Sequence, residues 1–176
     1  MENLKWLIYK ITHPFVRFYW RIFKPKTYGA RAIILNEANI LLVRNINVNH
    51  WSLPGGKIDK GETPEECLLR ELKEELVLSI SKTDYILGEY LSSKEGKRDT
   101  VYIFVVKLLS PTFQKQWELQ DAQWFPLSRL PENISPAASR RIYEFQNGSR
   151  NKISASILKF RNSSRSGGRD IFRQTR

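Results

Sequence analysis

The segment that most restricts this chain runs from Gly55 to Val77, GGKIDKGETPEECLLRELKEELV. It joins a glycine pair to a helix whose two flanks make opposite demands. Thr63 suits the N-cap, Pro64 the first helical position, and Glu66 completes a Thr-x-x-Glu capping box. At about 100° per residue, Glu71, Glu74 and Glu75 share an arc of about 100°. Leu68, Leu69, Leu72 and Leu76 fill the arc beside it. The leucines require a sheet to cover them, so the acids stand at the edge of a buried face. Arg70 falls on the flank opposite the leucines, pointing away from the acids and within reach of Glu62.

Like charges three and four residues apart cost a few tenths of a kcal/mol per pair. A solvated acidic face is the simple reading, but it explains neither Gly55-Gly56 before the helix nor Glu62 at its entrance. Hard divalent cations take oxygen ligands and are usually shared between a few carboxylates and substrate phosphates. Cations set between these acids and a diphosphate would relieve both repulsions together.

The acids matter more because the chain as a whole carries a net charge of +11. Residues 1–27 hold six Lys/Arg against one acid, and residues 147–176 hold eight against one. The stretch between, 28–146, holds fifteen against sixteen and is nearly neutral. The excess therefore sits at the two ends, and the centre is not itself a polyanion-binding surface. Basic ends of this kind suit RNA, polyphosphate tails or an anionic membrane surface. With 176 residues, 41% of them hydrophobic, the chain suits one domain with a proper core. A single cysteine, Cys67, excludes an intrachain disulfide framework and a cysteine-rich zinc site, and fits a reducing compartment such as the cytoplasm.

Along the chain, residues 1–27 show helical spacing of apolar residues (Leu4, Leu7, Ile8, Ile11, Phe15, Phe18) interrupted by cations, with Pro14 expected to break or kink the helix. Charges every few residues argue against a membrane span, and the pattern is not that of a secretory signal. This amphipathic segment suits packing against the domain or a second subunit, or lying on an anionic membrane surface. Residues 28–36 and 40–45 form a predicted hairpin around Glu37-Ala38-Asn39, and HWSLPGG (50–56) a short strand. Residues 84–93 and 99–109 form a second predicted hairpin around the basic tip KEGKR, and AQWFPL (122–127) a last strand. Ser135 and Pro136 open a helix over 135–146, and the Ser/Gly/Arg-rich stretch 147–176 reads as a mobile tail.

The run Gly56, five residues, Glu62, seven residues, Arg70-Glu71-Leu72-x-Glu74-Glu75-x-Val77-Leu78 resembles the Nudix box, with six of its seven fixed positions matched. The order of hairpin, LPGG, box helix, hairpin, strand and helix over 28–146 is also similar to that family. The resemblance implies an α/β/α sandwich with a mixed sheet. It further implies a Mg²⁺- or Mn²⁺-dependent hydrolase in which water attacks a phosphorus of a nucleoside diphosphate linked to another group. On the same basis Glu71, Glu74, Glu75 and the Gly55 carbonyl would be metal ligands, and Arg70 with Glu62 a supporting ion pair. The general base would be Glu71 or the loop acid Glu118. The departure is Val77, where the family has glycine; a β-branched residue is strained in a left-handed cap, so the helix is expected to run on or to end with different geometry.

Outside the box, Arg44 is a candidate for holding the nucleotide or its phosphates and Trp51 for stacking on a base, though a strand-end arginine and a tryptophan before LPGG also fit edge and core positions. Cys67 suits a small buried hydrophobe better than a reactive thiol. The rival functions are a Nudix-like nucleotide- or nucleic-acid-binding regulator without hydrolysis, and a pyrophosphohydrolase acting on RNA 5′ ends. A homodimer formed through the N-terminal extension is a further expectation.

Overall fold

Alternating apolar runs build the sheet. In the computed structural model, which describes residues 26–92 and 98–149 (side chains of Ser92 and Arg98 excepted), the elements are six strands and two helices. These are β1 (Lys26–Asn36), β2 (Asn39–Asn45), β3 (Gly55–Lys57), α1 (Pro64–Leu76), β4 (Tyr85–Ser92), β5 (Arg98–Lys107), β6 (Leu119–Pro126) and α2 (Pro136–Gln146). The expected N-terminal helix, the centre of the KEGKR tip and the tail from 150 lie outside the described residues. Among the described residues no helix is long and apolar enough to cross a membrane.

The strands run in the order β4-β5-β1-β2-β6, with β3 paired to β1. β1 is parallel to β5 over ten residue pairs and antiparallel to β2 and β3, so the sheet is mixed. Both predicted hairpins form: Asn36 faces Asn39 across the first turn, and Ser92 faces Asp99 in the second. The strand placed at 50–56 starts later. Trp51 and Ser52 make only single bridges, to Ile134 and Val43, and regular pairing begins at Gly55, where the chain first runs beside β1. The last strand begins three residues earlier than the expected 122, because Leu119 pairs with Asn45 beyond a bulge.

Period-two alternation divides the core. Ala30, Ala32 and Ile34 point to the face covered by α1, with Leu68, Leu72, Leu76, Tyr102 and Phe104. Ile33 and Leu35 point to the other face, with Trp51, Tyr90, Ile103, Val105, Ala138 and Ile142 of α2. The result is an α/β/α sandwich in which one sheet serves two cores.

α1 forms for the reasons its sequence gives. Thr63 accepts the Glu66 N–H at 3.2 Å, and the Glu66 carboxylate accepts the Thr63 N–H at 2.8 Å. The helix does not run on at Val77. It ends there in the left-handed conformation, with φ 56° and ψ 27°, and the Leu78 N–H donates to the Leu72 carbonyl at 3.1 Å. Closure of the cap and burial of Leu78 (8% exposed) outweigh the strain of a β-branched residue, whose own side chain is 46% exposed.

Candidate active site

β3 brings the glycine pair against both β1 and α1. A Cβ on Gly55 (φ 120°) would lie 2.3 Å from the Ala30 carbonyl oxygen, and one on Gly56 would lie 2.2 Å from the Glu71 carboxylate. No side chain fits at Gly55, and one at Gly56 would displace the Glu71 carboxylate, so the backbone reaches the acids directly. The Gly55 N–H donates to Glu75 Oε2 at 3.1 Å. Glu75 is only 5% exposed, and its burial pushes the carboxyl up to about 7; the Gly55 N–H and Arg31 oppose that rise, while Glu71 and Glu118 add to it.

Arg70 does not turn away from the acidic stripe. Its guanidinium takes Glu62 through Nε at 2.8 Å and Nη2 at 3.1 Å, Glu71 through Nη1 at 2.9 Å and Glu74 through Nη1 at 3.0 Å. Arg70 and Glu74 are four residues apart on the helix, and the long side chain folds back over the stripe to reach them all. The hydrogen bond from Arg70 holds Glu62 below the usual carboxylate range, and that same bond pushes the arginine higher. The expected Arg70–Glu62 pair is therefore present, within a larger network. Among the described residues no three acidic, histidine or cysteine side chains gather into a metal-coordinating group: Arg70 draws Glu71 and Glu74, and Glu75 turns to Gly55. Cys67 is fully buried below this network, with its thiol 3.2 Å from the Lys57 carbonyl oxygen and pushed up to about 12 by that burial.

Glu118 lies in the loop that runs along the end of α1, tied there by the Gln116 N–H on the Glu75 carbonyl at 2.9 Å and the Gln114 N–H on the Leu76 carbonyl at 3.0 Å. It is exposed, and close enough to act electrostatically on Glu75. Arg44 and Trp51 sit together away from the acids. The Arg44 guanidinium lies 5.2 Å over the indole and 3.4 Å from Asp121. Trp51, 6% exposed, packs edge-on against Phe125 with centroids 4.9 Å apart, a core position.

Arg31 escaped the sequence reading. It is the one charged residue in the β1 run YGARAIILN, and that interruption of an apolar strand was the available signal. Its Nη1 donates to the Leu53 carbonyl at 3.0 Å, and its charge reaches Glu75. Arg31 also lines a cavity of about 450 Å³ between the sheet and α2, walled by Leu53, Val101, Ile103, Tyr90 and Ala138 among others. The acids on the α1 side and this hollow on the α2 side thus meet at one end of β1.

The family model for the NUDIX domain matches residues 25–145. A putative 8-oxo-dGTP diphosphatase of Bacillus subtilis (strain 168) is 35% identical over 124 residues, 69% of this chain and 81% of that protein. The ADP-ribose pyrophosphatase of Methanocaldococcus jannaschii is 30% identical over 118 residues, 64% of this chain and 69% of its own. Among solved structures, the MutT protein from Methanosarcina mazei Go1 superposes with a TM-score of 0.61 at 25% identity, over 71% of this chain and 95% of that one. A box motif, a sheet order and a helix placement that agree with one family over two thirds of the chain leave one conclusion: the chain is a Nudix hydrolase, an enzyme that acts on acid anhydrides of phosphorus.

Proposed function

We propose that the protein is a divalent-metal-dependent pyrophosphohydrolase whose substrate is a nucleotide or nucleotide derivative carrying a diphosphate. The observation that carries this reading is the packing of Gly55 and Gly56 against Glu75 and Glu71, which brings a bare backbone, a buried carboxylate and a half-buried one to one spot. The donors there are carboxylate and carbonyl oxygens without histidine, a set suited to Mg²⁺ or Mn²⁺ rather than to zinc. Glu75 fits the role: a buried carboxylate with one hydrogen bond carries a charge that its surroundings leave uncompensated. Glu71, Glu74, Glu75 and the Gly55 carbonyl would hold the cation. When bound, such an ion polarises phosphoryl oxygens and lowers the pKa of water.

The remaining roles belong to the chain. Arg70 and Glu62 fix the loop from Lys57 to Glu62 onto α1, and so fix the glycine backbone against the acids. Glu71 and Glu118 are the candidates to take a proton from the attacking water; Glu118 is exposed and acts electrostatically on Glu75. The cavity behind Arg31 receives the organic part of the substrate. The named relatives, a putative 8-oxo-dGTP diphosphatase and an ADP-ribose pyrophosphatase, fit a nucleotide anhydride as the substrate class.

The test is a panel of nucleoside triphosphates, ADP-ribose, dinucleoside polyphosphates and nucleotide sugars incubated with Mg²⁺ or Mn²⁺, with products identified by mass. Release of a monophosphate or phosphate product from at least one member is expected. Glu75→Gln should lower kcat by at least about 100-fold, with the circular dichroism spectrum unchanged. Equal turnover by this variant would overturn the assignment.

A further inference from the structure

On the α1 face of β1, Ala30, Ala32 and Ile34 are fully buried, but Tyr28, the preceding position of the same alternation, is 40% exposed. Cover of this face therefore fails at the first residues of the strand. The recess left there, about 510 Å³, lies between Tyr28, Tyr102 and the loop 57–62. Tyr102, 1% exposed, closes its base, and the Ile58 N–H on the Tyr28 carbonyl at 2.9 Å ties the loop to the strand. Tyr28, Ile58 and Tyr102 make the lining apolar, while Lys57 and Lys60 balance Asp59 and Glu62. Arg70 holds Glu62 firmly, whereas it meets the largely exposed Asp59 only at 4.0 Å.

The chain itself supplies an occupant. Residues 1–25 join β1 at Lys26, two residues from Tyr28 and at the lip of the recess. Their apolar residues Leu4, Leu7, Ile8, Ile11, Phe15 and Phe18 recur at helical spacing, a stripe that needs cover. Five Lys/Arg accompany them, against Glu2 alone. A segment tethered this close is held at high local concentration, which favours contact within one chain over contact between chains. An anionic membrane matches less well: a flat surface does not enter a recess, and Asp59 and Glu62 would face its charge. We infer that residues 1–25 fold back onto their own domain, seating an apolar stripe on Tyr28 and Ile58 and turning a cation toward Asp59. A segment seated there braces the outer side of the loop that Arg70 holds through Glu62 and the Lys57 carbonyl. The seat stands independently of the hydrolase reading.

The test is paramagnetic broadening of amide signals in the isotope-labelled full chain, with a nitroxide attached through Lys60→Cys. Cys67 is buried, so the label goes to the new thiol alone. Signals of residues 4–11 should broaden beyond detection. A nitroxide attached through Arg129→Cys, at the opposite end of β1 and about 30 Å away, should leave them sharp. Tyr28→Glu should restore the signals lost to the first label. So should Leu7→Glu combined with Ile11→Glu, which lies outside the described domain and decides the matter if Tyr28→Glu destabilises β1. Sharp signals with the label at the Lys60 position would overturn the inference. So would broadening that both sets of substitutions leave unchanged, since that is a tether without a seat. In a mixture with nitroxide and isotope on different chains the signals should stay sharp; broadening there would assign the recess to a second copy and overturn the seat within one chain.

Discussion

Two residues show how local cost is tolerated around the acids. Val77 takes a left-handed conformation in which its β-branched side chain is strained, while that side chain packs on little. Val77→Gly should therefore raise stability by about 0.5–1 kcal/mol, the relief of strain exceeding the added freedom of the unfolded chain; urea denaturation measures it, and a loss of stability would show that the valine side chain contributes packing. Glu75 is the other case. Its carboxyl is pushed by burial from 4.5 to about 7, so the unfolded chain releases this proton at lower pH than the folded one. The favourable contribution of the protonated folded form is complete below about 4.5 and is lost as pH rises through about 7. Thermal melts in EDTA should show Tm falling over that interval, and Glu75→Gln should flatten the fall. The same residue marks a limit of the sequence reading: its membership of the acidic stripe was legible from spacing, whereas its burial under Gly55 depends on β3, a strand of three residues with almost no pattern of its own.

At the level of elements, α1 was the most legible because its signals are local. Thr63, Pro64 and Glu66 fix its start, and the leucines fix its buried side. Thr63→Ala removes one half of a reciprocal pair of hydrogen bonds and should cost about 1 kcal/mol, read as a shift in the urea midpoint with an unchanged slope. Both hairpins were legible from β-branched runs broken by short polar turns. The segment Trp51–Lys57 was misplaced because single bridges and a short strand leave no alternation to read. Arg70 was misdirected for a related reason: a helical wheel fixes where a Cα lies, and a long flexible side chain crosses tens of degrees of that wheel to find three carboxylates.

Across the whole molecule, the sheet is both support and partition. It carries one core on each face and separates the acids of α1 from the cavity beside α2, to which β1 contributes Arg31. Sequence patterns showed that a sheet existed but not which strands would neighbour each other. The parallel β1–β5 pairing has no local signature, and the cavity exists only once Val101 and Ile103 stand next to Arg31. That pairing has a consequence for biosynthesis. β1 is made early, yet its parallel neighbour begins at Arg98, paired with Lys26 across more than half of the described span. A chain growing on the ribosome must hold the aliphatic run Ile33-Ile34-Leu35 without its flanking strand until β5 has emerged. The N-terminal half is therefore the stretch where shielding by a nascent-chain chaperone matters most, and a protein halted before β5 has no sheet to close.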